Sequence, residues 1–220
     1  MALAIFDLDN TLLGTDSDHA WGEFIVEHGI VDGQRYQQRN DQFFQDYLDC
    51  KLDISVYLDF CLELLGQHSE QQLQAWHAQF MAEKVEPFVL PKALALIEKH
   101  KQAGDTCMII TATNRFVTGP IAQRFGIDIL LATECERQEG RYTGRTTDIA
   151  CFREGKVTRL DRWLMENGQV LDGSYFYSDS RNDLPLLALV DHPVAVDPDD
   201  ELRAHAEQHG WPVISLREEL

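Results

Sequence analysis

Asp7 and Asp9 stand two residues apart at the end of the apolar run Leu3-Ala4-Ile5-Phe6, a pattern expected of a buried parallel strand. Alternate residues of an extended chain project to the same side, so both carboxylates can face one crevice at the strand's carboxyl end. Open α/β sheets bind ligands at that end. Two carboxylates held close repel by ~4 kcal/mol at an effective dielectric near 20, so a cation should sit between or beside them. An EF-hand calcium loop does not fit, because Leu12 stands where that loop needs glycine and a strand, not a helix, precedes it. Further down the chain Thr111 follows a second apolar run, and Asp179 and Asp183 follow a third, with Lys156 between them in sequence. Singly, each has an ordinary reading: a strand-end hydroxyl, a solvated lysine, a helix cap. Their order along one chain is what those readings fail to account for.

These residues need elements to hold them. From Asp16 to about Lys84 the sequence is polar and aromatic, with apolar residues recurring at helical spacing. Trp21, Phe24 and Ile25 form one stripe, Phe43, Phe44 and Tyr47 a second, Ile54, Tyr57, Leu58, Cys61 and Leu65 a third, and Leu73, Trp76 and Phe80 a fourth. Gly29, Gly33 and Gly66 punctuate them, and Ser69 with Gln72 has the form of a capping box. The aromatic stripes read as the core of a small helical bundle. After Pro87 strands and helices alternate: a helix from about Pro91 to Lys101, a strand over Thr106–Ile110, a helix to Gly126, and a strand from Ile127 to Ala132. A short β excursion at 140–145, a helix after Lys156, a strand over Ser174–Tyr177 and a final helix and two strands follow. Such alternation implies a doubly wound parallel sheet. The expected organisation is an α/β core of residues 1–14 and 86–220, with a helical cap of residues 15–85 inserted after the first strand.

The chain carries 19 Lys and Arg against 37 Asp and Glu, a formal net charge of −18. That surface repels nucleic acid and anionic membranes, so neither is an expected partner. An anionic substrate would need local positive charge from a metal, Lys or Arg. Five cysteines without a C-x-x-C pair support neither a disulfide framework nor a zinc site and fit a reducing compartment. The sequence enters its first strand without a signal-peptide pattern and contains no apolar run of membrane-spanning length, so a cytoplasmic location is expected. Oligomeric state is left open.

The order D-x-D-x-T at residues 7–11, an apolar strand ending in Thr111, then Lys156, then S-D-x-x-N-D at residues 178–183 resembles the haloacid dehalogenase (HAD) superfamily. The helical insert resembles the cap of its phosphoserine-phosphatase-like branch, subfamily IB. The resemblance implies a Rossmann-like core and a Mg²⁺-dependent phosphatase that acts on a small phosphorylated metabolite. Asp7 would be the nucleophile and form an aspartyl-phosphate, dividing one hard step into two. The resemblance gives Asp7, the backbone carbonyl of Asp9 and Asp179 as Mg²⁺ ligands, with Asp183 as a ligand or an orienting group. Lys156 would offset the charge on Asp7 and the phosphoryl group. Thr111, helped by backbone N–H groups over Ala112, Asn114 and Arg115, would hold phosphoryl oxygens.

Asp9 favours phosphomonoester hydrolysis, since an acid there can protonate an alkoxide leaving group and then activate water. Related dehalogenases and P-type ATPases lack one. Asp16 occupies the position of the acidic residue that reads the substrate amine in phosphoserine phosphatases. The arginine those enzymes use for the substrate carboxylate has no counterpart in the helix around Asp53–Phe60, although Arg35 and Arg39 lie earlier. An amino-alcohol phosphate without a carboxylate, histidinol phosphate above all, therefore suits the residues better than phosphoserine. The runs T-A-T-N-R-F and D-S-D-H-A-W-G also resemble a bacterial subgroup linked to histidinol-phosphatase activity. Arg115 and Arg181 read as rim residues that could touch substrate, and His19 and His28 as packing groups. A phosphotransferase of the same family is one alternative. A phosphoacceptor signalling domain is another, though such domains have no helical insert after the first strand and carry their acid pair adjacent.

Overall fold

The computed structural model describes residues 2–217; Met1 and residues 218–220, which fall inside the expected core boundaries, lie outside the described residues. The strands are β1 (Leu3–Phe6), β2 (Thr106–Asn114), β3 (Ile129–Thr133), a hairpin of β4 (Cys135–Gln138) and β5 (Arg141–Thr146), then β6 (Tyr175–Ser178), β7 (His192–Val196) and β8 (Val213–Ile214). Six of them form one parallel sheet in the order β3-β2-β1-β6-β7-β8. The chain winds outward from β1 through β2 to β3, then returns to the other side of β1 for β6, β7 and β8. The strand order therefore reverses between β1 and β6, and a crevice opens at the carboxyl ends there.

β1 is buried along its whole length because both faces are covered. Leu3 and Ile5 join Met108, Ile110 and Phe176 in one core. Ala4 and Phe6 join Ile109 and Tyr177 in the other. The helices are α1 (Ser17–Glu27), α2 (Gly33–Leu48), α3 (Ile54–Gln67), α4 (Glu70–Phe80), α5 (Pro91–Ala103), α6 (Arg115–Arg124), α7 (Glu154–Asn167), α8 (Leu184–Leu187) and α9 (Asp200–His209). Helices α7, α8 and α9 supply Leu160, Leu186 and Leu202 to the first core, and α1, α3, α4, α5 and α6 supply Phe24, Leu62, Leu73, Ile97 and Ile121 to the second. The doubly wound parallel sheet expected from the sequence is the one that forms. Among the described residues no helix is long and apolar enough to cross a membrane.

Side-chain caps start most of the helices near the crevice. Asp16 accepts the N–H of Asp18 at 3.0 Å and of His19 at 2.8 Å to open α1. Asp53 opens α3, Ser69 opens α4 through Gln72 N–H, and Asn114 opens α6 through Val117 N–H. The segment from α1 to α4 leaves and rejoins the sheet side by side: Gly14 N–H donates to Phe88 C=O at 2.8 Å, and Leu13 bridges Val89.

Three local expectations are corrected and a fourth is extended. Strand β3 starts at Ile129 rather than Ile127, because Ile127 N–H is taken by Ala122 C=O in the exit from α6. Gly66 is the last residue but one of α3 and serves packing as well as punctuation; a Cβ there would sit 3.0 Å from the Thr143 carbonyl, so glycine lets the β4–β5 hairpin approach. Lys156 is within the first turn of α7, which begins at Glu154. The aromatic stripe of α2 is half-buried rather than core, and the buried residue of that helix is Asn40.

The start of α7 carries backbone strain that bears on Lys156. Arg153 sits at φ 50°, and a Cβ on Gly155 would lie 2.0 Å from the Ala150 carbonyl oxygen. Replacing Gly155 with Ala must therefore push the turn apart. The expected outcome is a loss of about 1–3 kcal/mol of stability, measured by urea unfolding, as the turn that carries Lys156 is displaced. Unchanged stability would show that the turn relaxes freely.

Candidate active site

Asp7 leaves β1 directly between β2 and β6, with its N–H held by the Tyr177 carbonyl at 2.9 Å. The residue is 5% exposed and its Oδ1 accepts from Lys156 Nζ at 2.7 Å. The same ammonium donates to Asp183 Oδ2 at 2.8 Å, and Ser178 Oγ donates to that oxygen at 2.7 Å. Asp179 Oδ1 accepts from Thr11 Oγ1 at 3.0 Å, while Thr11 Oγ1 accepts the Asp179 N–H at 3.1 Å. One lysine from α7 thus ties the loop after β1 to the loop after β6, and Thr11 ties them a second time.

Asp9 is fixed at both oxygens. Ser17 N–H donates to Oδ1 at 2.7 Å and Thr113 Oγ1 to Oδ2 at 2.8 Å. The Thr111 hydroxyl is 3.5 Å from Oδ2, at the limit of a hydrogen bond, and itself accepts the Thr113 N–H at 3.2 Å. Thr111 is therefore oriented by the backbone with its hydroxyl hydrogen free for a ligand.

Burial dominates the electrostatics. It pushes Asp7 up to about 7, against the pull of Lys156 and with the help of Asp183 and Asp9. Burial raises Asp9 to about 6; Asp16 adds to this and the hydrogen bonds from Ser17 and Thr113 oppose it. Asp18 is pushed by burial up to about 8, and burial with the charges of Asp7 and Asp183 holds Asp179 well above the usual carboxylate range. Burial alone would draw the Lys156 ammonium down, but Asp183 and Asp7 outweigh it, so the ammonium stays charged at neutral pH. One fixed cation faces more carboxylate than it can offset.

A cavity opens above this cluster. Asp7, Asp9, Asp16, Asp18, Thr111, Ala112, Thr113 and Lys156 line one part, and His19, Asn40, Phe43, Phe44, Tyr47, Leu52, Ile54, Tyr57 and Phe152 the rest. Asp179 and Asp183 reach Asp7 and Lys156 without lining it. Among the described residues no three His, Cys, Asp or Glu side chains converge as a ready metal cage, since Lys156 stands between Asp7 and Asp183. Hard oxygen donors are nonetheless present: Asp7 Oδ2 and Asp179 Oδ2 accept no hydrogen bond from any described residue. Two open carboxylate oxygens in an over-acidic site fit a small divalent cation that keeps several waters. Asp183 does not offer such a donor, because both of its oxygens are engaged by Lys156 and Ser178.

The side chains of Asn114 and Arg115 are aimed elsewhere. Asn114 caps α6, and Arg115 turns away to Glu134 at 2.7 Å and to the Leu130 carbonyl at 2.6 Å. Neither lines the cavity. Arg39 stacks over Phe43 and Phe60 at 5.3 and 5.2 Å and, with Arg35, borders a separate surface depression. His19 lines the cavity instead of serving only as packing; its ring stacks on Phe44 and its Nδ1 meets Asn40 Nδ2 at 3.0 Å. Arg181 is not a substrate-facing rim residue. It donates to the Leu48 carbonyl at 2.6 Å and to Cys50 Sγ at 2.9 Å, while Arg153 donates to the Cys50 carbonyl at 2.9 Å. These two arginines hold the end of α2 against the loops that carry Lys156 and Asp179, satisfying carbonyls left open there.

Sequence reasoning missed Thr113, Asp18, Tyr47 and Tyr57. Thr113 was accessible from strand parity, being two residues beyond Thr111. The tyrosines were hidden in stripes that also serve as packing.

The profile of the haloacid dehalogenase-like hydrolase family matches residues 4–188. A histidinol-phosphatase of Neisseria meningitidis serogroup C is 45% identical over 219 residues, covering 98% of this chain and 99% of that protein. A phosphoserine phosphatase of Mycobacterium tuberculosis, SerB1, is 29% identical and matches 98% of this chain and 71% of its own length. Among solved structures, a protein of unknown function from Bordetella pertussis Tohama I superposes with a TM-score of 0.93 at 44% identity, over 98% of this chain and 99% of that one. A substrate-bound phosphoserine phosphatase superposes with a TM-score of 0.71 at 14% identity, covering 99% and 94%, a likeness of fold.

The raised carboxyls make stability depend on pH. Burial pushes Asp7 up to about 7 and Asp18 up to about 8 in the folded protein, above the ordinary 3.8. The folded chain therefore binds more protons than the unfolded one, and that contribution is full below about pH 4 and is lost as pH rises through 7 and 8. His77, buried and held below its ordinary 6.5, acts in the opposite sense only at lower pH. With EDTA present, the thermal unfolding midpoint is expected to fall from about pH 6.5 to about pH 8.5, less steeply in Asp18→Asn. A midpoint that rises over this range would contradict the assignment.

Proposed function

This chain belongs to the haloacid dehalogenase-like hydrolase family and is a phosphatase of that family, and from that premise we propose that it hydrolyses a small amino-alcohol phosphate, histidinol phosphate foremost, through an aspartyl-phosphate at Asp7. The Asp7 carboxylate attacks phosphorus, and the bond to the substrate's ester oxygen breaks as that oxygen takes a proton from Asp9. Asp9, now ionised, removes a proton from water as the water oxygen attacks phosphorus. The phosphorus–Asp7 bond then breaks, inorganic phosphate leaves, and both aspartates are restored.

Asp9 suits the acid role because burial lifts it to about 6 while Ser17 and Thr113 fix its direction. Lys156 holds Asp7 in line and offsets charge that builds on the phosphoryl oxygens. Thr111, with the backbone around Ala112, is placed to donate to those oxygens. Asp183 and Ser178 keep the lysine in position. Mg²⁺, held by Asp7, Asp179 and the backbone carbonyl of Asp9, would supply the further positive charge that attack by an anion on an anion requires.

One observation carries the substrate reading: four aspartates line the cavity, Lys156 is its one Lys or Arg among the described residues, and no arginine enters it. A phosphoserine carboxylate would be buried there without a partner, whereas an amine meets Asp16, whose capping contacts use Oδ1. The 45% identical histidinol-phosphatase supports the same choice. The five cysteines are all free thiols, consistent with work in the cytoplasm.

Phosphate release measured over histidinol phosphate, phosphoserine and phosphoethanolamine tests this. The expected order places histidinol phosphate roughly 10–100-fold above phosphoserine in kcat/KM, with activity lost in EDTA and restored by Mg²⁺. Asp7→Asn should abolish turnover, and Asp9→Asn should slow breakdown of the phosphoenzyme. Preference for phosphoserine, or full activity in Asp7→Asn, would overturn the reading.

A further inference from the structure

The mechanism leaves one buried carboxylate of the cavity without a task. Asp18 lies in the first turn of α1, two residues beyond Asp16, and is 8% exposed. It points into the cavity. Asn114 Nδ2 stands 3.5 Å from its Oδ1, a contact too long to offset burial, and the Tyr57 hydroxyl is the other donor that faces it. None of the ion pairs among the described residues involves it, although the chain pairs many of its surface acids. The Tyr57 hydroxyl eases its charge only in part, and burial still pushes it up to about 8. A carboxylate left this way costs stability, so its presence needs a positive partner that arrives from outside.

The walls beside Asp18 say what kind of partner fits. Phe43 stands edge-on to Tyr57 at 5.2 Å, and Phe44 stacks on His19 at 4.6 Å, and all four rings line the cavity. Flat aromatic faces next to a buried acid favour a planar cationic group over a simple ammonium, which hydrates strongly and stacks poorly.

We propose that Asp18 is a specificity-determining residue that receives the ring N–H of an imidazole, or a similar flat basic heterocycle, on the tail of the substrate, seated among Phe43, Phe44 and Tyr57. Asp16 then takes the amine nearer the phosphate, and the two acids of α1 read two nitrogens on one molecule. This rests on the amino-alcohol phosphate reading above and narrows it to substrates with a second basic nitrogen on a ring. No covalent step is involved; the gain is a charge-assisted hydrogen bond made in a site shielded from water.

The test compares histidinol phosphate with phenylalaninol phosphate, which keeps the amine and phosphate and replaces imidazole by phenyl. The wild-type enzyme is expected to prefer histidinol phosphate by about 30-fold or more in kcat/KM, mostly through KM. Asp18→Asn, close in shape, should shrink that preference to within about 3-fold. A preference that survives Asp18→Asn overturns the inference while leaving the amino-alcohol reading intact. An equal fall for both substrates assigns Asp18 a structural role and also overturns it. Should Asp18→Asn fail to fold, the wild-type comparison decides: a preference below about 3-fold overturns the inference. Wild-type preference for phosphoserine over both removes the broader reading and this one with it.

Discussion

One ammonium between two buried carboxylates is the constraint around which the rest is built. Lys156 reaches Asp7 at 2.7 Å and Asp183 at 2.8 Å, and all three side chains are nearly excluded from solvent. Taking the lysine away would strand both carboxylates in a medium that solvates them poorly, at a cost of about 3–5 kcal/mol. The contact demands that the ends of β1 and β6 be neighbours, which the reversal of strand order between them supplies. It also demands that α7 begin with its first turn already inside the crevice. The strained Arg153 and the tight Gly155 turn meet that demand.

The helices between β1 and β2 complete the site from above. Helix α1 belongs to both halves: Trp21 and Phe24 are buried in the large core, while Asp16, Asp18 and His19 face the cavity. Helix α2 contributes Phe43, Phe44 and Tyr47 to the cavity wall; Arg181 holds its last carbonyl, that of Leu48, and Arg153 holds the Cys50 carbonyl just beyond it. Those arginines neighbour Lys156 and Asp179 in sequence. The end of α2 and the loops that carry Lys156 and Asp179 are thereby fastened to one another beside the buried carboxylates. The same enclosure explains why the acids are pushed up: each carboxylate that gains shelter from water loses solvation, and a single lysine cannot repay them all.

Much of this was legible in the sequence because it is local. The apolar run before Asp7, the alternation after Pro87 and the Ser69 cap each follow from a few neighbouring residues. The grouping of Asp7, Thr111, Lys156 and Asp179 came from their order along the chain, and the folded protein gathers them at one crevice. What stayed hidden depends on which way a helix turns. The stripe Phe43, Phe44 and Tyr47 has the spacing of a core face, yet α2 carries it toward an opening. Arg115 follows Thr111 closely enough to suggest a phosphate contact, but the first turn of α6 swings it to Glu134. Gly66 reads as a terminator, and its packing role shows only once the hairpin against it is known.

The central claim is that the Asp7 carboxylate, held by Lys156, accepts the phosphoryl group. Quenching the enzyme in acid during turnover, reducing it with borohydride and mapping the peptides by mass spectrometry tests this directly, since an acyl-phosphate is reduced to an alcohol. The account predicts homoserine at position 7 only when substrate is present, and none in Lys156→Met. Continued turnover with position 7 unmodified, or reduction at another carboxylate instead, would contradict it.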